Sequence, residues 1–259
     1  MNDYILYSVL TCVLILYIIL RTVVRKFYFH PSAKLLTTDY VIETLGSHVA
    51  LVRKHMDSKR CLIISHGNAG NISYRNELFN QLKSYDGDIY CYEYQGFGNM
   101  KGKVSIKGCI DEHLFWIRHL APKYSEIDLW GESIGGGVLT ETITYLNKKK
   151  IEDKEILRKI NKVYLQSTFS SLKSVITHMM TILGGIYSFF MLNDFDTIGN
   201  LAHSNFKEIE VINLHSQNDE IIPFSETQLL KNACEKNYLK YKLIPIKGGH
   251  NDSVIGNIF

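Results

Sequence analysis

The chain has 259 residues, is 46% hydrophobic and carries a net charge of +3. That supplies apolar material for a substantial core, and the length fits one or two domains. The small net charge, with no basic face or aromatic RNA-binding motif, gives no ground for a nucleic-acid partner. The cysteines Cys12, Cys61, Cys91, Cys109 and Cys234 are odd in number and lack a Cys-x-x-Cys pair. They point to free, mostly buried thiols in a reducing compartment rather than to a disulfide frame or a zinc site.

Tyr4 to Leu20 is uncharged and mostly aliphatic, bounded by Asp3 and Arg21. At ~1.5 Å per residue it just crosses a ~30 Å hydrocarbon core if Thr22 to Val24 contribute. A cleaved signal peptide and a buried core helix are the rivals. The acidic start and the absence of a small-residue cleavage site argue against the signal peptide. Residues 1–26 are therefore read as a membrane anchor, and 27–259 as one domain. Arg21, Arg25 and Lys26 follow the span, which puts that domain on the cytosolic side.

After a linker from Phe27 to Leu36, Tyr40–Leu45 and His48–Arg53 read as a hairpin turning at Gly46-Ser47. Arg60 to Ser65 is a continuous apolar run, as expected of a strand buried on both faces. Helix-like Ser73–Tyr85 leads to strand Asp88–Tyr94, and helix-like Ile106–Leu120 leads to a short strand, Ser125–Trp130. A helix from Val138 to Asn147 continues into a charged segment, Lys148 to Lys162, read as its solvated extension. Strand Lys162–Gln166, strand Glu210–His215, helix Ser225–Asn237 and strand Lys240–Ile246 complete the chain. Strands alternating with helices predict an α/β fold, a mainly parallel sheet covered on both faces. Residues 167–207 are longer and more apolar than a connection requires and read as a cap over the site, with a membrane-facing patch as the alternative.

Gly131-Glu132-Ser133-Ile134-Gly135 lies between the Ser125–Trp130 strand and the following helix. This is the strand–turn–helix setting of a nucleophile elbow. Gly131 and Gly135 leave out side chains where a tight turn crowds its neighbours, and the helix N-terminus favours negative charge at Ser133. The alternative is a glycine-rich packing turn. A serine hydroxyl needs a base, and the base needs an acid to hold its tautomer. Of ten histidines, His250 follows a strand, lies in a Lys247-Gly248-Gly249 loop and comes last in the order Ser–Asp–His. His113, His119 and His178 read as surface or core residues of helices, and His215 as packing or support. Asp219, just after a strand, is the candidate acid, with Asp194 and Asp196 as alternatives. The oxyanion donors would be the amides of Ile134 and Asn68, the latter in Ser65-His66-Gly67-Asn68-Ala69-Gly70-Asn71. His66 is read as a structural residue of that loop. No cluster has metal-ligand spacing and no phosphate-binding loop is present, so no cofactor is expected. The sequons at Asn71 and Asn251 both adjoin this site, where a glycan would obstruct it, which again favours a cytosolic domain.

Together these residues resemble the α/β-hydrolase superfamily, and more narrowly its membrane-anchored α/β-hydrolase-domain branch, with the bud-emergence-like proteins and relatives of the protein depalmitoylases. The matching stretches are Phe27 to Pro31, His66 to Asn71, Tyr92 to Gly98, Gly131 to Gly136, Asp219 to Pro223 and Gly249 to Asp252. The resemblance implies a Ser133–Asp219–His250 triad, an oxyanion hole at Asn68 and Ile134, and a membrane-tethered serine hydrolase acting on an acyl lipid or an acylated protein. Gln95 stands where the family usually has Arg, and Ser216 where relatives often have Gly. One cysteine, Cys12, replaces the cysteine-rich N-terminus of the depalmitoylases. A serine peptidase of the same fold and a catalytically silent membrane scaffold are the competing expectations.

Overall fold

The structure is a computed structural model that describes residues 2–179 and 195–259. Asn2–Tyr28 forms one helix, α1, with neither Pro nor Gly to interrupt it. Its described apolar side chains stand in the open: Ile5, Leu10, Ile15 and Ile19 are each more than half exposed. Among the described residues no helix is long and apolar enough to cross a membrane. The expected transmembrane anchor is thus corrected to an exposed apolar helix. Leu20, Val23 and Val24, on which the span depended for its length, lie outside the described side chains. The helix also takes up the start of the expected linker. The rest of that linker is partly ordered, because His30–Pro31 (β1) pairs in parallel with Ala69–Gly70 (β5).

The hairpin forms as Val41–Leu45 (β2) and His48–Arg53 (β3). Arg60–Ser65 (β4), Asp88–Tyr92 (β6), Glu126–Glu132 (β7), Ile160–Gln166 (β8), Glu210–Ser216 (β9) and Tyr241–Ile246 (β10) complete the main sheet. Among the described residues its order is β10-β9-β8-β7-β4-β6-β3-β2. The run from β10 to β6 is parallel, while β6–β3 and β3–β2 are antiparallel, so the sheet is mixed. A tight Gly46 turn joins β2 to β3 and forces that pair to be antiparallel.

The central strand β4 shows why the sheet is covered on both sides. Cys61 and Ile63 belong to one core and Leu62 and Ile64 to the other, following the two-residue alternation of a strand. The first core is closed by Ile106–Leu120 (α3), Ile134–Tyr145 (α4) and Glu226–Lys236 (α8), through residues such as Trp116, Leu139 and Leu230. Ser105 caps α3 by accepting the Gly108 amide at 2.9 Å. The second core is closed by Asn76–Gln81 (α2), through Leu78 and Phe79, and by the tail residues Ile255, Ile258 and Phe259. Expected Ser73–Tyr85 is instead a 3₁₀ turn, Ile72–Arg75, followed by α2.

The charged segment after α4 is not a continuous solvated helix. It breaks, and a separate helix, Ile151–Lys159 (α5), begins. Asp153 causes the break: buried, it accepts the Asn147 amide at 3.0 Å and pairs with Arg118 at 3.1 Å. In the expected cap, residues 172–179 are helical (α6) and Thr197–Leu201 is α7; residues 180–194 lie outside the described residues. Four cysteines are buried and Cys12 on α1 is exposed. Burial pushes the Cys61, Cys91 and Cys109 thiols up, and that of Cys234 to about 12. His113 is also core: burial pushes it down to about 3, and its ring stacks on Tyr92.

Candidate active site

The parallel strands all end at one edge of the sheet, where ligands of such folds collect. There β7 turns directly into α4 at Ser133. Ser133 has φ 54° and ψ −116°, a left-handed backbone for a non-glycine residue that stores roughly 1–3 kcal/mol of strain. The turn is held by the Ser133 amide donating to Gln166 O at 2.8 Å and by Thr168 Oγ1 donating to Ser133 O at 3.2 Å. Gly135 explains how the turn fits. A Cβ there would lie 1.9 Å from Ser65 O and 3.0 Å from His66 O, so only glycine lets α4 abut the end of β4. Its small size brings the elbow against the start of the 66–71 loop.

His250 lies in the loop after β10. Its Nδ1 donates to Asp219 Oδ2 at 2.8 Å, which leaves Nε2 to accept from Ser133 Oγ at 3.1 Å. The loop carrying His250 is tied down on the β9 side: Ser216 Oγ donates to Gly248 O, and the His250 amide donates to Glu220 Oε2 at 2.9 Å. Asp219 Oδ1 accepts the Ile221 and Ile222 amides at 3.0 and 2.7 Å. Burial alone would raise the Asp219 carboxyl; the hydrogen bond and charge of His250, with those two amides, outweigh it and hold the group below the usual carboxylate range. Beneath Asp219, His215 donates from Nε2 to Ile222 O at 2.9 Å, and burial pushes its imidazole down. Neutral His215 therefore packs under the acid and braces its loop.

On the other side of Ser133 runs the 66–71 loop. His66 is fully buried; its Nδ1 donates to Gly67 O at 2.8 Å and its Nε2 faces Glu93 Oε1 at 3.1 Å. Glu93 Oε2 accepts the Ile72 amide at 3.1 Å, and Tyr94 OH donates to His66 O at 2.9 Å. Asn71 is buried with its side-chain amide engaged, donating to Ser32 O and Lys34 O and accepting from Ser73. Asn71 thus has no room for a glycan in the folded chain.

Asn68, Ser133, Ile134 and His250 line one cavity of 440 Å³. Phe169, Leu172, Val175 and Ile176 give it an apolar wall. Sequence reasoning named Ser133, Asp219, His250, Asn68 and Ile134, and the structure brings all five to this place. Asp196 is elsewhere employed, accepting the Gly199 amide at the start of α7, and Asp194 lies outside the described residues. Glu220, Glu93 and His30, another residue of the cavity wall, were not singled out. Glu220 adjoins the acid, a signal that could have found it; the other two have partners far away in sequence. Among the described residues no histidine, cysteine and carboxylate cluster could hold a metal ion.

No protein-family profile matches the chain. It is 28% identical over 233 residues to protein bem46 of Schizosaccharomyces pombe, covering 88% of this chain and 73% of that one. It is 24% identical over 198 residues to the lysophosphatidylserine lipase ABHD12 of Gallus gallus, covering 70% of this chain and 50% of the relative. Among solved structures, an alpha-beta hydrolase from Vibrio vulnificus superposes with a TM-score of 0.64 at 16% identity, covering 82% of this chain and 74% of that one. That likeness identifies the fold as the one described above. With its sheet order, its strand–serine–helix turn and these relatives, the chain has the α/β-hydrolase fold and resembles the branch of that superfamily that includes bem46.

Proposed function

We propose that this protein is a serine hydrolase that cleaves acyl esters or thioesters through an acyl-enzyme. The observation that carries the reading is His250, with Asp219 on one ring nitrogen and Ser133 Oγ on the other at 3.1 Å, at the mouth of an apolar cavity. Ser133 Oγ attacks the acyl carbon as its proton passes to His250 Nε2. The carbonyl oxygen becomes an oxyanion facing the Ile134 and Asn68 amides, and Asp219 stabilises the imidazolium. The tetrahedral intermediate then expels the alcohol or thiol, which takes the proton from His250. Water, deprotonated by the same nitrogen, attacks the acyl-serine and releases the carboxylic acid.

The apolar wall suits a lipidic acyl chain, and the chicken relative's name, a lysophosphatidylserine lipase, is that of an enzyme acting on such a chain. A glycerolipid and a palmitoylated protein both present this acyl group. The exposed apolar side chains of α1 would gain about 25 cal/mol for each Å² of apolar surface removed from water in a bilayer, so the helix is assigned to hold the domain at a membrane. The engaged Asn71 side chain and the basic residues at the end of α1 support a cytosolic domain.

The test is fluorophosphonate labelling of the full-length protein in membranes, paired with hydrolysis of a p-nitrophenyl acyl ester. Wild type is expected to label and turn over, and Ser133→Ala to do neither. Equal labelling of both would sink the assignment of Ser133. Recovery of folded wild type wholly in the soluble fraction would sink the membrane assignment alone.

A further inference from the structure

The loop that supplies Asn68 contains two glycines, and Gly70 has φ +78°, so its own backbone does little to fix it. An oxyanion donor works only if it is already in place when charge develops, because moving it during the reaction costs rate. The base of this loop is fixed through His66, Glu93 and Tyr94. Its donor-bearing half is fixed from a different quarter. The His30 amide donates to Asn68 O at 2.8 Å, and the Ser32 amide donates to Gly70 O at 2.9 Å. Those two bonds make β1 and β5.

The same short segment is bolted to the body of the domain. Ser32 O accepts both the Asn71 side chain at 2.8 Å and the Gly98 amide at 3.1 Å. Phe29 meets Phe97 edge to face at 6.3 Å, and Phe97 in turn packs on the His66 ring at 5.3 Å. Helix α1 ends at Tyr28, two residues before the bond to Asn68.

We propose that Phe29–Ser32 is a positioning element for the oxyanion hole, coupling α1 to the orientation of Asn68. The proposal rests on the hydrolase reading above. A displacement of α1 reaches the candidate oxyanion donor through one aromatic contact and two backbone bonds. How α1 is seated then sets the rate of the acyl-transfer step as well as the location of the domain.

Proline removes an amide donor, whereas alanine keeps it. The experiment therefore compares His30→Pro with His30→Ala in the full-length protein, using a soluble short-chain p-nitrophenyl ester. The alanine variant is the reference because the His30 ring itself lines the cavity. The expected result is a kcat at least tenfold lower in the proline variant, with KM within twofold. Its affinity for a trifluoromethyl ketone, which mimics the tetrahedral oxyanion, should weaken by the same factor. Ser32→Pro against Ser32→Ala repeats the comparison at Gly70 and covers a His30→Pro variant that fails to fold.

Equal kcat within each pair would overturn the proposal. So would a fall in kcat with unchanged ketone affinity, or proline variants that both aggregate while the alanine variants fold, since the bonds would then serve stability. A wild type that neither labels nor turns over removes the hydrolase reading and this proposal together. An active wild type with matched pairs removes this proposal alone.

Discussion

Two stretches flank Ser133 and hold it by different physics. The elbow, from β7 into α4, is fixed by exclusion: Gly131, Gly135 and Gly136 each leave a space that a Cβ would fill at 2.5 Å or less from a neighbouring atom. The 66–71 loop is fixed by attraction, through hydrogen bonds to Glu93, Tyr94 and the 30–32 segment. Steric fixing is all-or-none, because close-packed interiors do not yield by an ångström. Polar fixing is graded, since each hydrogen bond contributes about 1 kcal/mol net and the loop can lose one and persist.

The sharpest way to break this contrast is Gly135→Ala. Its Cβ meets the Ser65 carbonyl, which is backbone of the central strand, so the expected cost is about 3 kcal/mol or more. Urea denaturation of the full-length chain reads it, and wild-type stability would refute the steric account. Glu93→Gln is next. It keeps the volume but replaces the carboxylate that serves both the His66 ring and the Ile72 amide with a neutral amide, at an expected cost of about 2 kcal/mol. Esterase activity should fall with it while the protein still folds; loss of folding instead would place the loop in the same class as the elbow. The smallest effect is expected from Tyr94→Phe, which leaves the His66 carbonyl without its hydroxyl donor for about 1 kcal/mol. A melting curve measures this, and a cost as large as that of Gly135→Ala would erase the distinction.

The same contrast explains what could be read from the sequence. The elbow was legible because its determinants are consecutive: an alternating strand, spaced glycines and a helix. Strand β4 was legible as an unbroken apolar run. Asp219 and His250 were found from loop position and chain order. The support of the oxyanion loop was not legible. Glu93 sits between two tyrosines and looks like any strand-end carboxylate until β4 and β6 pair and bring it to His66. His30 and Ser32 lie in what composition presents as a linker, and only two residues of backbone pairing give them a role. The break before α5 was missed for a similar reason, since Asp153 gains its meaning from Arg118 on another helix. The transmembrane reading rested on an uncharged aliphatic run and its length, and among the described residues no helix is long and apolar enough to cross a membrane.

The distribution of thiols has a practical consequence. Cys61, Cys91, Cys109 and Cys234 are buried and held protonated, so a maleimide has no thiolate to attack at any of them in the folded chain. Cys12 stands exposed on α1. Nature has thus left a single-site chemical reporter on the helix whose environment matters most: water-soluble maleimide tags it when α1 is in solvent, and a lipid bilayer around the helix silences it.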